Sequence, residues 1–298
     1  MDFIIVFIYG IFVGMVTGML GAGGGTLIVP FLNLYLHMPM KTAIGTSLFQ
    51  YIGISSSGAY QHYKLGSSDL MVALILIISG SVTSIAGAKV GKVIPNHILK
   101  LLFGALVLII AVKFLKPKSK RKASEAPVKV KKAKASHANT STYYHMLHDI
   151  GKSLHINIVS PIPMYMHRKT KIAEYTINVP LVFILGGVVG FFTGLLGVGG
   201  GFLYIPGLMM LSIPMKVTVG ASLTPIIVTS TMGAATYLTS GYVDIVVGII
   251  LMIGGIIGTF IGTRLNKKLP TSTLKKSFGL LMLLIGFVMI TKAMGLNF

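Results

Sequence analysis

Apolar stretches about as long as a bilayer is thick recur along the chain: Phe3–Leu20, Thr42–Tyr60, Leu70–Ala88, Ile98–Leu115, Val179–Leu196, Val217–Leu238, Ile245–Ile261 and Leu274–Met294. Roughly 20 such residues cross a hydrocarbon core as a helix. Two shorter apolar pieces, Thr26–Leu36 and Phe202–Ser212, each follow a run of three glycines. The pattern predicts an all-α polytopic membrane protein of long helices interrupted twice by a short one. Phe3–Leu20 follows Asp2 rather than a basic segment and lacks a cleavage site, so it reads as a retained span.

The pattern is written twice. Between Gly18–Gly25 and Gly194–Gly201, six of eight residues are identical. Further on, MPMKTAIGTSL (38–48) matches IPMKVTVGASL (213–223), and Gly58, Gly66, Asp69, Gly87 and Pro95 pair with Gly233, Gly241, Asp244, Gly262 and Pro270. The halves are residues 1–116 and 176–298, each with about four to five helical segments, joined by a connector over 117–175. Such duplication is a common sequence signature of transporters.

Composition fixes the solvent and charge fixes the orientation. Of 298 residues 53% are hydrophobic, mean hydropathy is +0.83 and only 11% are charged, too apolar for one soluble domain. The net charge of +20 is concentrated: 14 of the 26 Lys and Arg lie between Lys113 and Lys171. A basic tract between two membrane halves reads as cytoplasmic and apposed to anionic headgroups, not as a nucleic-acid site. Each half contributes an odd number of crossings, whether its short segment spans or re-enters. The second half is therefore expected to be inverted, placing both termini outside. The loop Arg264–Lys276, with five basic residues, then lies inside, and Lys89–Lys100, with three lysines, lies outside.

Some glycines are read as packing. Gly10, Gly14 and Gly18, their mates Gly186, Gly190 and Gly194, and Gly254, Gly258 and Gly262 stand four apart, lining one face where helices approach closely. The runs Gly23–Gly25 and Gly199–Gly201 are different. Consecutive glycines break a helix and leave N–H groups unpaired. Within a membrane this is tolerated where the backbone is buried in protein or lines a cavity. The short helix that follows points its N-terminal end into the gap, which suits an anion. Neither run carries the third glycine and downstream acid of a dinucleotide fingerprint, nor the Gly-Lys-Ser/Thr of a nucleotide loop. Ser47 and Gln50 in one half, and Ser222 and Thr224 in the other, are candidates to complete a shell of neutral donors. Lys41 and Lys216 are candidates for electrostatic attraction, or else interface lysines.

The six carboxylates are Asp2, Asp69, Glu125, Asp149, Glu174 and Asp244, none in mid-span. A cation carrier would place acids within the bilayer, so an anion is favoured. His145, His148 and His155 lack the spacing of a metal site, and no cofactor or metal is expected. Tyr143–Val159 has the character of an amphipathic piece on the headgroups.

The doubled motif, GMLGAGGGTLIVP with PMKTAIGTSL and GLLGVGGGFLYIP with PMKVTVGASL, resembles the TauE/SafE sulfite exporter family. The resemblance implies a permease for sulfur oxyanions or organosulfonates such as sulfite and sulfoacetate. It places the family's glycine-rich motif on Gly21–Gly25 and Gly197–Gly201, and its proline on Pro30 and Pro206. The long basic connector departs from that pattern. The sequence therefore points to an exporter of a small sulfur-containing anion, not an enzyme, working by alternating access at a midplane site, in one copy or as a homo-oligomer. The alternative is a non-transporting receptor or assembly factor whose connector binds a partner. The topology has a direct check: cysteines placed at Ser124 and Asn297 are expected to label from opposite sides of the membrane, and labelling from one side overturns the inversion.

Overall fold

The computed structural model describes residues 3–21, 24–115, 165–170, 173–265 and 271–293. The first half supplies α1 (Phe3–Leu20), α2 (Gly25–Pro30, extended by a π turn over Phe31–Tyr35), α3 (Met40–Lys64), α4 (Leu70–Val93) and α5 (Asn96–Leu115). A hairpin follows, β1 (Tyr165–Lys169) antiparallel to β2 (Glu174–Asn178), with Tyr165 opposite Asn178. The second half supplies α6 (Val179–Leu196), α7 (Gly201–Met210), α8 (Met215–Leu238), α9 (Ile245–Leu265) and α10 (Thr271–Ala293). The hairpin runs straight into α6, whose first turn is capped by the Asn178 side chain accepting from the Leu181 N–H (3.1 Å).

Among the described residues five helices, α1, α4, α6, α8 and α9, are long and apolar enough by themselves to cross a membrane. In α3, 25 residues long, Thr46, Ser47, Gln50 and Ser55–Ser57 dilute the apolar content. Among the described residues α5 and α10 add the shorter apolar stretches Asn96–Val112 and Met282–Ala293. The outer helices expose large apolar side chains a turn apart: Ile4, Ile8 and Phe12 on α1, Leu74, Ile78 and Val82 on α4, Ile249, Ile253 and Ile257 on α9. Water would penalise such continuous stripes, whereas lipid is their natural solvent.

Close glycine contacts fix the direction of every long helix. Gly10, Gly14 and Gly18 of α1 abut Leu251, Gly255 and Thr259 of α9 in ascending order, so the two run parallel. Gly186, Gly190 and Gly194 of α6 abut Leu76, Gly80 and Ser84 of α4 in the same way. α3 runs parallel to α9, with Phe49 at Gly248, Met252 at Gly53 and Thr259 at Gly58. α8 runs parallel to α4: the Ser84 hydroxyl donates to the Thr229 carbonyl (2.7 Å), and Gly91 faces Tyr237. Where α3 crosses α8 the order reverses, Leu48 meeting Gly233 and Gly58 meeting Leu223. α5 and α10 pair in the same reversed sense, through Gly104 with Ile290 and Leu108 with Gly286. Hence α1, α3, α5 and α9 point one way and α4, α6, α8 and α10 the other. Each long helix of the second half runs against its counterpart in the first.

The halves are also interleaved. The first helix of each packs on the fourth of the other, so the spatial bundles are α1–α3–α9 and α4–α6–α8, meeting along α3 and α8. The contacts leave no room for a side chain: a Cβ on Gly14 would stand 2.0 Å from the Gly255 carbonyl oxygen, and one on Gly194 2.0 Å from that of Ser84.

One tie breaks the two-fold likeness. Asp69 caps α4, its carboxylate accepting from the Met71 and Val72 N–H groups (2.9 and 3.3 Å). It also receives Arg168 from β1 through two nitrogens (2.8 and 3.1 Å) and the Tyr175 hydroxyl from β2 (2.6 Å). Among the described residues the side chain of the mate Asp244 caps α9, accepting from the Val247 N–H (3.0 Å), while its own N–H donates to the Thr46 hydroxyl (2.9 Å). Burial pushes the Asp69 carboxyl up, but the hydrogen bonds from Arg168, Tyr175 and Val72 outweigh it and hold the group below its ordinary value. A depressed value means stability that is present at neutral pH and lost as pH falls through the folded-state value. Asp69→Asn is therefore expected to lower the melting point in detergent by the equivalent of about 1–3 kcal/mol and to flatten the acid limb of stability. Asp244→Asn, which keeps a capping side chain, should change little. Equal effects of the two variants would show that the hairpin tie contributes nothing.

Candidate functional site

Both breaks are built alike. α1 ends when Gly21 turns left-handed (φ +63°) and its N–H closes on the Thr17 carbonyl (2.7 Å). α6 ends when Gly197 does the same (φ +68°), its N–H on the Thr193 carbonyl (2.9 Å). Only glycine takes this conformation cheaply. After the breaks, α2 and α7 run back the way α1 and α6 came. They end at left-handed mates, His37 (φ +52°) and Ser212 (φ +65°), before Pro39 and Pro214 cap α3 and α8. Each short helix is thus one arm of a re-entrant hairpin, which lets α1 and α3 point the same way.

The breaks from the two halves meet. A Cβ on Gly25 would stand 2.5 Å from the Val198 carbonyl carbon and oxygen. Across this contact the halves exchange hydroxyls: Ser47 of α3 donates to the Gly197 carbonyl (2.9 Å), and its mate Ser222 of α8 shares its proton between the Gly21 carbonyl (3.2 Å) and that of Val219 in its own helix (3.0 Å). Both serines, expected as ligand donors, are engaged in clasping the other half's break. Gly24 donates its N–H to the Thr17 hydroxyl (3.1 Å). Gly199 and Gly200 are left-handed (φ +71° and +61°) and lie against the rings of Tyr51 and Tyr204 respectively. Gly201 opens α7, and Gly23 lies outside the described residues.

Around the breaks are buried polar side chains with no hydrogen-bond partner among the described residues: Thr26 Oγ1, both amide atoms of Gln50, Tyr51 Oη and Tyr204 Oη. Ser55 and its mate Ser230, farther along α3 and α8, are also unpaired. Tyr51 joins the two breaks, its ring over Gly199 and its hydroxyl beside Gly24. Sequence reasoning picked out Gln50 and passed over Tyr51. The available signal was a phenol next to an amide in the middle of a membrane helix. Thr224 is only half-buried, beside Pro225.

The candidate lysines are elsewhere. Lys41 directs its ammonium at the Lys92 carbonyl in the last turn of α4 and lies over the Tyr242 ring (5.8 Å), which fits an interface lysine. The Lys216 side chain lies outside the described residues. Other basic groups gather on the same face as Lys41, where His37, Asn96, Lys100 and Lys292 line an open cavity of about 360 Å³. Among the described residues no cluster of His, Asp or Glu is suited to a metal. His145, His148, His155 and Tyr143–Val159 lie outside them.

Residues 6–289 match the family described as Sulfite exporter TauE/SafE. Among curated proteins, the chain is 29% identical to the probable membrane transporter protein YunE of Bacillus subtilis, covering 96% of each chain. It is 28% identical to the probable membrane transporter protein MJ0441 of Methanocaldococcus jannaschii, over 95% of this chain and 93% of that one. It is 30% identical to a probable membrane transporter protein of Xylella fastidiosa, over 94% and 92%. No solved structure matches.

The serine clasps occupy matching positions in the two halves. Ser47→Ala and Ser222→Ala are each expected to lower stability by about 1 kcal/mol, the worth of one buried hydrogen bond, with similar shifts in melting temperature. A loss of anion affinity at unchanged melting temperature would instead make the serines ligand donors.

Proposed function

The chain belongs to the sulfite exporter TauE/SafE family of membrane transporters, and on that premise we propose that it exports a small sulfur-containing anion, such as sulfite or an organosulfonate, by alternating access. The observation that carries this reading is the meeting of two glycine-broken re-entrant hairpins, one from each half, with polar groups buried around their contact. Backbone of this kind is tolerated inside a bilayer where it is enclosed by protein or serves a pathway.

In this reading the chain is a multi-pass protein of the cell membrane built as two inverted repeats, 1–116 and 176–298. The opposed directions of counterpart helices support it. The substrate binds where Gly24 and Gly25 converge with Gly199–Gly201, with Gln50 and Thr224 near it, and Ser47 and Ser222 fix the shape of the cradle; Gly23 is assigned to the same cradle from its place in the sequence. Because the halves are interleaved, the bodies that tilt are the bundles α1–α3–α9 and α4–α6–α8 rather than the halves themselves, and the breaks lie at their junction. The connector 117–175 lies in the cytoplasm against anionic headgroups, on the hairpin's face, and both termini lie outside. The site uses side chains and backbone alone, with no catalytic constellation, cofactor or metal.

The competing reading, a receptor or assembly factor that uses the repeats as an anchor, makes the connector the functional part. Deleting Ala123–Asn139 separates the two. A transporter keeps sulfite or sulfonate flux in proteoliposomes within about two-fold of the full chain. Wild-type protein that carries none of these anions, together with a cellular phenotype for the deletion, would decide for the anchor.

A further inference from the structure

The groups left without partners near the breaks are not shared equally between the halves. Thr26, Gln50 and Tyr51 are fully buried, have no partner among the described residues and belong to the first half, against Tyr204 alone beside the breaks in the second. Their mates by sequence are Phe202, Pro225 and Ile226, which carry no polar side-chain atom. A Cβ built on Gly24 would lie 3.3 Å from the Tyr51 hydroxyl, and one built on Gly199 would lie 2.9 Å from the Tyr51 ring. The Gln50 amide adjoins that phenol without reaching hydrogen-bond geometry. The chain thus holds a phenol, an amide and a threonine hydroxyl in its interior, each with a donor that nothing among the described residues accepts. Buried donors of this kind are costly unless something else completes them.

The same region is free of charge. Residues 3–40, 42–63, 70–88, 175–215, 217–243 and 245–263 contain no Asp, Glu, Lys or Arg. Along α3 the nearest charged residue to Gln50 is Lys41, nine positions away, or about 13 Å of helix rise. Lys41 is directed at the end of α4 on one face, and Asp69 is bound to Arg168 on the other. An anion taken into this region is met by neutral donors only. The cost of stripping water from an ion grows with the square of its charge, so a dianion costs about four times as much as a monoanion of the same size. Neutral hydrogen-bond donors, whose return rises only about linearly with charge, cannot make up that difference.

We propose that Tyr51, with Gln50 and Thr26, forms the anion-contacting wall of the central site, and that this uncharged wall selects singly charged oxyanions over doubly charged ones. A sulfonate or a hydrogen oxyanion fits; a fully ionised dianion such as sulfate does not. The anion lies off the two-fold, toward the first half, with the apolar mates on the opposite side suited to an uncharged substituent. The inference rests on the central site proposed above and adds to it a specific residue and a charge rule. Tyr51 is a binding residue here, with no chemical step.

The test uses the full chain in detergent, with methanesulfonate and sulfate as probes that present similar oxygens at different charge. Wild-type protein is expected to be stabilised against heat by methanesulfonate in a saturable manner, and not by sulfate at matched ionic strength. Tyr51→Phe removes the hydroxyl and keeps the ring over Gly199. Because that hydroxyl has no partner among the described residues, the anion-free variant should melt at or above the wild-type temperature while its methanesulfonate affinity falls about tenfold. A lower anion-free melting point would make the hydroxyl structural and overturn the assignment. Unchanged affinity in Tyr51→Phe, or a wild-type melt indifferent to methanesulfonate, would overturn both the assignment and the central site. Sulfate binding as tightly as methanesulfonate, and weakened alike by Tyr51→Phe, would leave the site standing and overturn the charge rule.

Discussion

The structure depends on helix backbones touching. In lipid no hydrophobic drive pulls helices together, so association rests on close packing and interhelical hydrogen bonds. Here the first helix of each half lies along the fourth helix of the other at a distance only glycine permits, as at Gly14 on Gly255 and Gly190 on Gly80. Two consequences follow from these seams. They bind α1 to α9 and α6 to α4 as parallel pairs, so neither half has a separate interior. They also leave α3 and α8 to cross in the middle, each carrying the serine that clasps the other half's break.

The glycines divide by physical role. Those at four-residue spacing are small so that a neighbouring helix can approach. Gly21 and Gly197 are glycine because the chain must turn left-handed to end a helix inside the membrane. Gly25 combines both demands, opening a short helix while meeting the backbone of the opposite break. The glycine-rich breaks thus serve packing and chain reversal together, and Gly25 falls where the two bundles meet. Charge is kept to the faces. Lys41 and Lys92 lie at one end of α4, Asp69 with Arg168 at the other, and the interior polarity is carried by hydroxyls, amides and backbone.

The hairpin is the principal departure from two-fold likeness. It fastens the start of α6 to the start of α4 through a buried carboxylate, at the end of a helix pair already sealed by glycines. The corresponding pair, α1 with α9, has an ordinary cap at Asp244 and no such tie among the described residues. Two bundles alike in architecture are therefore held unequally on the connector's face. The inequality arises where the connector, lacking a duplicate, meets the repeats.

Much was legible from sequence because it is written in local, periodic terms. The bounds of α1 and α6, the short helices after each glycine run and the family resemblance all follow from apolar length, glycine, proline and duplication. Within the site, sequence alone indicated the glycine breaks and Gln50. It could not distinguish a serine that contacts a ligand from one that clasps a carbonyl, since Ser47 and Gly197 lie 150 residues apart and only folding brings them together. It likewise missed Tyr51, whose importance comes from standing between two breaks on different halves, and the use of Asp69 by the hairpin. Periodicity reports which face of a helix is buried. Which neighbour covers that face is set by tertiary packing, and here the neighbour almost always comes from the other half.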